Sequence, residues 1–292
     1  MTVVKKVRFT PVFVSLMVIS LMVAGISSAV PFKNCVGMWL FDENKGDVVK
    51  DSSLKGNDGK ITGEAKSWKF VEGKFGNAVE FDGVTASVVI KKLNGNLDDV
   101  LNLKKDQTFS LWFKTNFNKN RRARVLHVPF LKVVKGNRQN YRLWLWIRRN
   151  RHKHKGQLGF GYAGFKIPLE MNSGQPLNDD NWHHAVAVLD HTAKQALLYI
   201  DGELSAQSDI AEIKFDPPQG EICIASACEI ENAGQGARDF FAGAIDDVGV
   251  FNVALKEGDI KNIMNKGLRR MGLLEVSPGG KLTTIWAATK AQ

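Results

Sequence analysis

Alternate positions of Tyr141–Arg148 separate two chemistries. Arg142, Trp144, Trp146 and Arg148 share one parity, and Tyr141, Leu143, Leu145 and Ile147 share the other. In an extended chain the two parities face opposite ways. The apolar set suits a core. Two indoles flanked by two guanidiniums make a platform on which a sugar packs its C–H face while an arginine forks a carboxylate or sulfate. Arg149 and Arg151 prolong the cationic edge. A structural use of the same rings competes. If Arg148 pairs with Gln157 across a hairpin, Trp146 falls opposite Gly159 and Trp144 opposite Gly161. Aromatic rings cover such glycines across a strand pair.

Oxygen ligands gather elsewhere. Asp51, Asn57 and Asp58 stand on a Gly-containing stretch, and Asp246 and Asp247, adjacent and so expected on opposite faces of a strand, supply two more carboxylates. Calcium takes six to eight such oxygens. The competing reading has Asp51 and Asn57 bonding the backbone of their own turns. His152 and His154 lie in a basic loop that repels cations, and the adjacent His183 and His184 point to opposite faces of a strand.

Glu80 and Asp82 are the local carboxylate pair that shares one strand face, as two acids flanking a glycosidic bond must. Gly83, Val84 and Thr85 follow them, and the pair reads as strand-end and turn residues. No Ser/His/Asp or Cys/His spacing and no Gly-rich phosphate loop stands out. The expectation is a non-catalytic protein.

The elements that must position these groups are short apolar-alternating runs separated by Gly, Asn and Asp. They predict strands at Val36–Phe41, Ala78–Phe81, Ser87–Ile90, Phe109–Lys114, Tyr141–Arg148, Gln157–Tyr162, His184–Leu189, Ala196–Ile200 and Ala244–Phe251. Asp201-Gly202 suits a tight turn. Leu255–Leu268 alone has helical spacing, at Ile260, Ile263, Met264 and Leu268. Strands do not alternate with helices, which argues against a parallel α/β enzyme and for a two-sheet antiparallel sandwich.

The 292 residues are 44% hydrophobic, enough for a large core and too much for a disordered chain. Lys5, Lys6 and Arg8 precede an apolar run from Val12 to Ile26 and then Ser27-Ser28-Ala29. That is the layout of a secretory signal, with cleavage expected after Ala29. No later segment is long and apolar enough to span a bilayer, so the mature chain is expected to be secreted or at the cell surface. In an oxidising compartment Cys35, Cys223 and Cys228 allow three alternative single bridges and leave one thiol over.

Charge is segregated. Removing Lys5, Lys6 and Arg8 from the formal +10 leaves +7. Residues 107–169 hold fifteen Lys or Arg and no Asp or Glu, which leaves −8 for everything else. A field of one sign favours an anionic partner. For an exported β-sandwich the expected partner is a polysaccharide or glycoprotein glycan, sulfated or uronic, and export and fold argue against nucleic acid.

Six motifs in order resemble one family. Gly37-Met38-Trp39-Leu40-Phe41-Asp42-Glu43 with Asp51-Ser52-Ser53 and Gly56-Asn57-Asp58-Gly59 is similar to the opening of laminin-G-like domains in the concanavalin A-like lectin/glucanase superfamily. Phe75-Gly76-Asn77-Ala78 with Phe81-Asp82-Gly83, then Phe109-Ser110-Leu111-Trp112, are similar to its next signatures. Trp182-His183-His184, Leu198-Tyr199-Ile200-Asp201-Gly202, and Phe241-Ala242-Gly243-Ala244-Ile245-Asp246-Asp247-Val248 resemble its later strands. The resemblance implies an all-β jelly-roll sandwich with one short C-terminal helix over residues 30–272, with 273–292 as a tail. It also implies a calcium among Asp51, Asn57, Asp246 and Asp247. The superfamily includes glucanases, but Glu80-Phe81-Asp82 lacks the further acid of the laminarinase-type motif. A carbohydrate-binding module is therefore the expectation, with a protein–protein adhesion module as the alternative.

Overall fold

The computed structural model describes residues 32–91, 105–134, 137–149, 151–163, 169–210, 221–228 and 237–271. The expected signal (1–29) and tail (273–292) lie outside them. The strands are β1 (Cys35–Trp39), β2 (Val48–Val49), β3 (Gly59–Thr62), β4 (Trp68–Glu72), β5 (Asn77–Asp82), β6 (Ser87–Ile90), β7 (Gln107–Lys114) and β8 (Ala123–Val134). They continue as β9 (Asn137–Ile147), β10 (Gln157–Ala163), β11 (Leu169–Pro176), β12 (Trp182–Asp190), β13 (Gln195–Ile200), β14 (Glu203–Asp209), β15 (Ile222–Ile224) and β16 (Ala242–Phe251). Among the described residues one α-helix follows, α1 (Glu257–Lys266).

Two antiparallel sheets form the sandwich. The first runs β14-β13-β12-β7-β16-β5-β4, with β1 also paired to β16. The second runs β11-β10-β9-β8-β15-β6-β3-β2. The expected jelly-roll class is what the chain adopts. Each predicted strand is present, and seven further strands join them: six that are short, at an edge or polar (β2, β3, β4, β11, β14, β15) and the long interior strand β8.

The two inner faces close over one core. Phe109, Leu111 and Phe113 of β7 meet Leu143, Leu145 and Ile147 of β9 in it, as the parity of β9 requires. A second, smaller core lies on the outer face of the first sheet. There Ile260 and Ile263 of α1 pack with Val186, Val188, Met38 and Leu268, at the three- and four-residue spacing that puts them on one helix face. Gly267 ends α1 with φ +73°, and its N–H bonds the Ile263 carbonyl. Glycine reaches this left-handed region without the clash a Cβ would bring.

Candidate functional site

The β9–β10 register settles how the tryptophans are used. Trp146 lies opposite Gly159 and Trp144 opposite Gly161, and the Arg148 N–H donates to the Gln157 carbonyl at 2.9 Å. A Cβ at Gly159 would come within 2.8 Å of the Trp146 ring, so the indole lies directly on the bare glycine. Arg124 and Arg148 stand over that indole at 5.2 and 4.4 Å. The guanidinium of Arg148 pairs with Glu170 and donates from Nε to Asn172 Oδ1 at 2.7 Å. Burial pushes Arg148 below the ordinary arginine value, and the Glu170 carboxylate opposes that shift.

The expected two-tryptophan platform is therefore corrected. Trp146 is 3% exposed and Arg148 5%, and both are spent in a cation–π stack that fills the slot above Gly159. Trp144 remains half-buried. Arg142 occupies its β9 position opposite Ala163, but its side chain lies outside the described residues.

The cations beyond this stack are presented to solvent. Arg149, Arg151, Lys153 and Lys155 are exposed on the β9–β10 turn, and Lys119 and Arg122 on the β7–β8 loop. Pairing of Ala123 with Ile147 brings the two segments to the same end of the second sheet. Among the described residues no carboxylate pairs with any of these six. His152 is pushed below its ordinary value by burial and then by the charges of Arg148, His154 and Arg149.

Within this basic end lies a recess of about 200 Å³ lined by Phe117, Asn118, Arg148, Lys155, Gly156 and Asn178. The Asn178 side-chain amide holds the Phe117 carbonyl at 3.0 Å. Asn118, Asn178 and the recess itself escaped the sequence reading, since residues sixty apart carry no local pattern. The charge run was the available signal.

Among the described residues, Asp51, Asp246 and Asp247 do not all bring carboxylate oxygens within 4.8 Å of one another. Asp51 accepts the backbone N–H groups of Met38, Ser53 and Asn57 at 3.0, 2.9 and 2.9 Å, so donors surround it as they surround a turn organiser. The Asn57 amide donates to the Val36 carbonyl at 2.7 Å. Asp246 accepts from Lys74 and Phe75 at 2.7 and 2.9 Å, and Asp247 accepts from Leu268 at 2.8 Å.

The expectation of opposed faces fails for Asp246 and Asp247. Asp247 is left-handed (φ +45°) at a register shift, and both carboxyls are received by the touching segments Gly73–Phe75 and Gly267–Leu268. Burial pushes them up to about 8 and about 7 respectively.

Cys223 and Cys228 form the disulfide. Cys35 is a buried free thiol, pushed up to about 12 by burial, and acts as a small hydrophobe. His183 and His184 do face opposite ways. His183 holds Asp201 and Asp179 at 2.8 and 3.0 Å, while the fully buried His184 meets Ser110 Oγ at 2.9 Å.

Solved structures share this architecture. The binding domain of Paraclostridial mosquitocidal protein 1 superposes with TM-score 0.58 at 16% identity, over 80% of this chain and 52% of that one. Domain 4 of AbnA, an extracellular arabinanase from Geobacillus stearothermophilus solved with arabinotriose, gives 0.56 at 16%, over 79% and 98%. Trypanosoma rangeli sialidase in complex with sialic acid gives 0.57 at 14%, over 80% and 33%. The chain thus spans about half of the toxin domain's length and a third of the sialidase's. At such identities the likeness is one of fold. No curated protein matches the chain. The family model Laminin G 3, described as concanavalin A-like lectin/glucanases superfamily, matches residues 82–261. That match covers more than half the chain, and β1 pairs with β16 in the same sandwich although it precedes the match. The protein belongs to the laminin G 3 family of the concanavalin A-like lectin/glucanase superfamily.

Proposed function

We propose that this protein is an exported, non-catalytic carbohydrate-binding module that grips an anionic glycan, sulfated or uronic, at the basic end of its second sheet. The observation that carries this reading is the set of six exposed cations that no described carboxylate pairs with, at the end of the sheet that holds a recess sized for a small group and lined by one of them, Lys155. Arg149 and Arg151 fork the anionic substituents, Lys155 and Arg148 border the recess, and the sugar body packs on what Trp144 leaves exposed. Neighbours of the same fold point the same way, one being solved with arabinotriose and another with sialic acid. Export rests on the N-terminal apolar run and agrees with the Cys223–Cys228 bridge. Among the described residues no helix is long and apolar enough to cross a membrane.

The carboxylates support a binding role over a hydrolytic one. Glu80 is paired with Lys69 at 2.8 Å, and Asp82 accepts the Val84 N–H at 2.8 Å as a turn residue. A second reading, protein adhesion, draws on the toxin binding and receptor-binding domains that share the fold.

The test places residues 30–292 on neutral, uronic and sulfated glycans, with calcium and with chelator. Sulfated or uronic ligands should bind regardless of chelator, and weaken about tenfold between roughly 0.05 and 0.3 M salt. Arg149→Ala/Arg151→Ala should weaken them at least as much. Silence toward every anionic glycan sinks the proposal in favour of adhesion. Release of reducing sugar refutes the non-catalytic assignment.

A further inference from the structure

Among the described residues, the outer face of the first sheet is covered at one end only. α1 lies over Val186 and Val188 of β12. Next along, the Gly73–Gly76 loop covers Trp112, with the Phe75 ring edge-on at 6.0 Å and Lys74 Nζ 4.6 Å above the indole. Beyond Trp112 the face opens into a trough of about 600 Å³, within the range of ligand sites in general.

The register explains its shape. Trp182 of β12, Lys114 of β7, Ala244 of β16, Glu80 of β5 and Lys69 of β4 stand side by side across five strands. The central strand contributes only Ala242, Gly243 and Ala244, so the floor is low. Gly243 (φ +137°) sits so close to the Lys114 carbonyl that a Cβ would collide with it. Longer side chains rise on both sides, and the Trp182 indole closes the β12 end, while Trp68 of β4, opposite in parity to Lys69, turns inward against the main core.

Charge separates this trough from the basic end. Its cations are Lys66, Lys69 and Lys114, and four carboxylates (Glu72, Glu80, Asp82, Asp180) accompany them. A polyanion finds no net attraction there. A polyhydroxyl chain does find what it needs, since ammonium donors alternate with carboxylate acceptors beside the Trp182 indole. Neighbouring strands are about 4.8 Å apart, close to the length of one pyranose in an extended chain, so successive strands can meet successive sugars. A peptide would look instead for unpaired backbone groups at a sheet edge. Across β12, β7, β16 and β5 those groups are used in the ladders, and among the described residues lining the trough only the outer edge of β4, where the sheet ends, leaves them unpaired.

We infer that the trough is a second binding site, taking a neutral linear oligosaccharide laid across β12-β7-β16-β5-β4. Calorimetric titration of the mature protein with neutral gluco-, manno-, xylo- and arabino-oligosaccharides tests this at about 0.3 M salt, where the basic end is screened. At least one series should bind. Trp182→Ala should weaken it about tenfold or more, and Ala244→Leu, which raises the floor, should abolish it. Arg149→Ala/Arg151→Ala should leave it unchanged. Glu80→Gln, at a partly exposed side chain, gives a variant with little risk to folding and should also weaken binding; matched thermal melts identify any variant that fails to fold. Absence of binding by every neutral series at millimolar ligand overturns the inference, as does binding that survives Trp182→Ala and Glu80→Gln. Sulfated-glycan binding at low salt, measured on the same preparation, reports separately on the basic end.

Discussion

His183 and His184 are adjacent, yet they link stability to pH with opposite signs. Hydrogen bonding to Asp201 is the main cause that raises His183 above its ordinary 6.5. Its contribution is complete below pH 6.5 and is lost as the pH rises through the raised value. Burial pushes His184 down to about 3. Below pH 6.5 the unfolded chain protonates this residue while the folded one does not, so stability falls from pH 6.5 towards 3. One pH unit in that window is worth about 1.4 kcal/mol, a few kcal/mol over the whole of it at most. Urea unfolding at pH 4 to 9 should show both limbs. His183→Gln should flatten the alkaline one and His184→Phe the acid one; identical pH profiles in the two variants would refute the assignment.

The hairpin β9–β10 owes its register to a lock between rings and glycines. Trp146 fills the space above Gly159, and Arg124 and Arg148 close over the ring. Gly159→Ala should overpack this slot and cost about 1–3 kcal/mol, a fall of about 2–4 °C in Tm per kcal/mol for a domain of this size. Trimming the ring in Gly159→Ala/Trp146→Leu should make the two costs non-additive, because the residues touch. Strict additivity in the double-mutant cycle would mean that the ring does not rest on Gly159. The Arg148–Glu170 pair belongs to the same lock, which is why Arg148 borders the ligand recess without being exposed.

At the scale of the molecule, two crossovers between the sheets shape both candidate sites. The loop from β7 to β8 lines the trough with Thr115 and Asn116 and the recess with Phe117 and Asn118. The loop from β11 to β12 places Asn178 in the recess and Asp180 beside the trough. A neutral surface and a cationic one therefore adjoin at one end of the sandwich. A linear oligosaccharide with charge confined to one end should engage both. It should bind at least about tenfold more tightly than either the short neutral or the short sulfated ligand, through the effective concentration of a tethered second contact. A length series in titration calorimetry measures this, and an affinity no better than the stronger short ligand would refute joint engagement.

The sequence by itself determined whatever depends on neighbours along the chain. Period-two alternation named the long strands and sent Leu143, Leu145 and Ile147 inward, because successive side chains of an extended backbone must alternate. It offered the opposition of Trp146 to Gly159 as one of two readings, conditional on Arg148 pairing with Gln157, and determined the cation block through composition alone. The tertiary structure decided what depends on distant partners. The Lys74 N–H meets Asp246 across 172 positions, and Asp247 turns left-handed where β16 shifts register, so two carboxyls expected on opposite faces are received together. Closure of the sheets also selected the Cys223–Cys228 bridge and buried Arg148 against Glu170. It left the small side chains of β16 as the floor of a trough. Such pairings follow from strand order and loop closure across the whole fold, for which local residue spacing carries no signal.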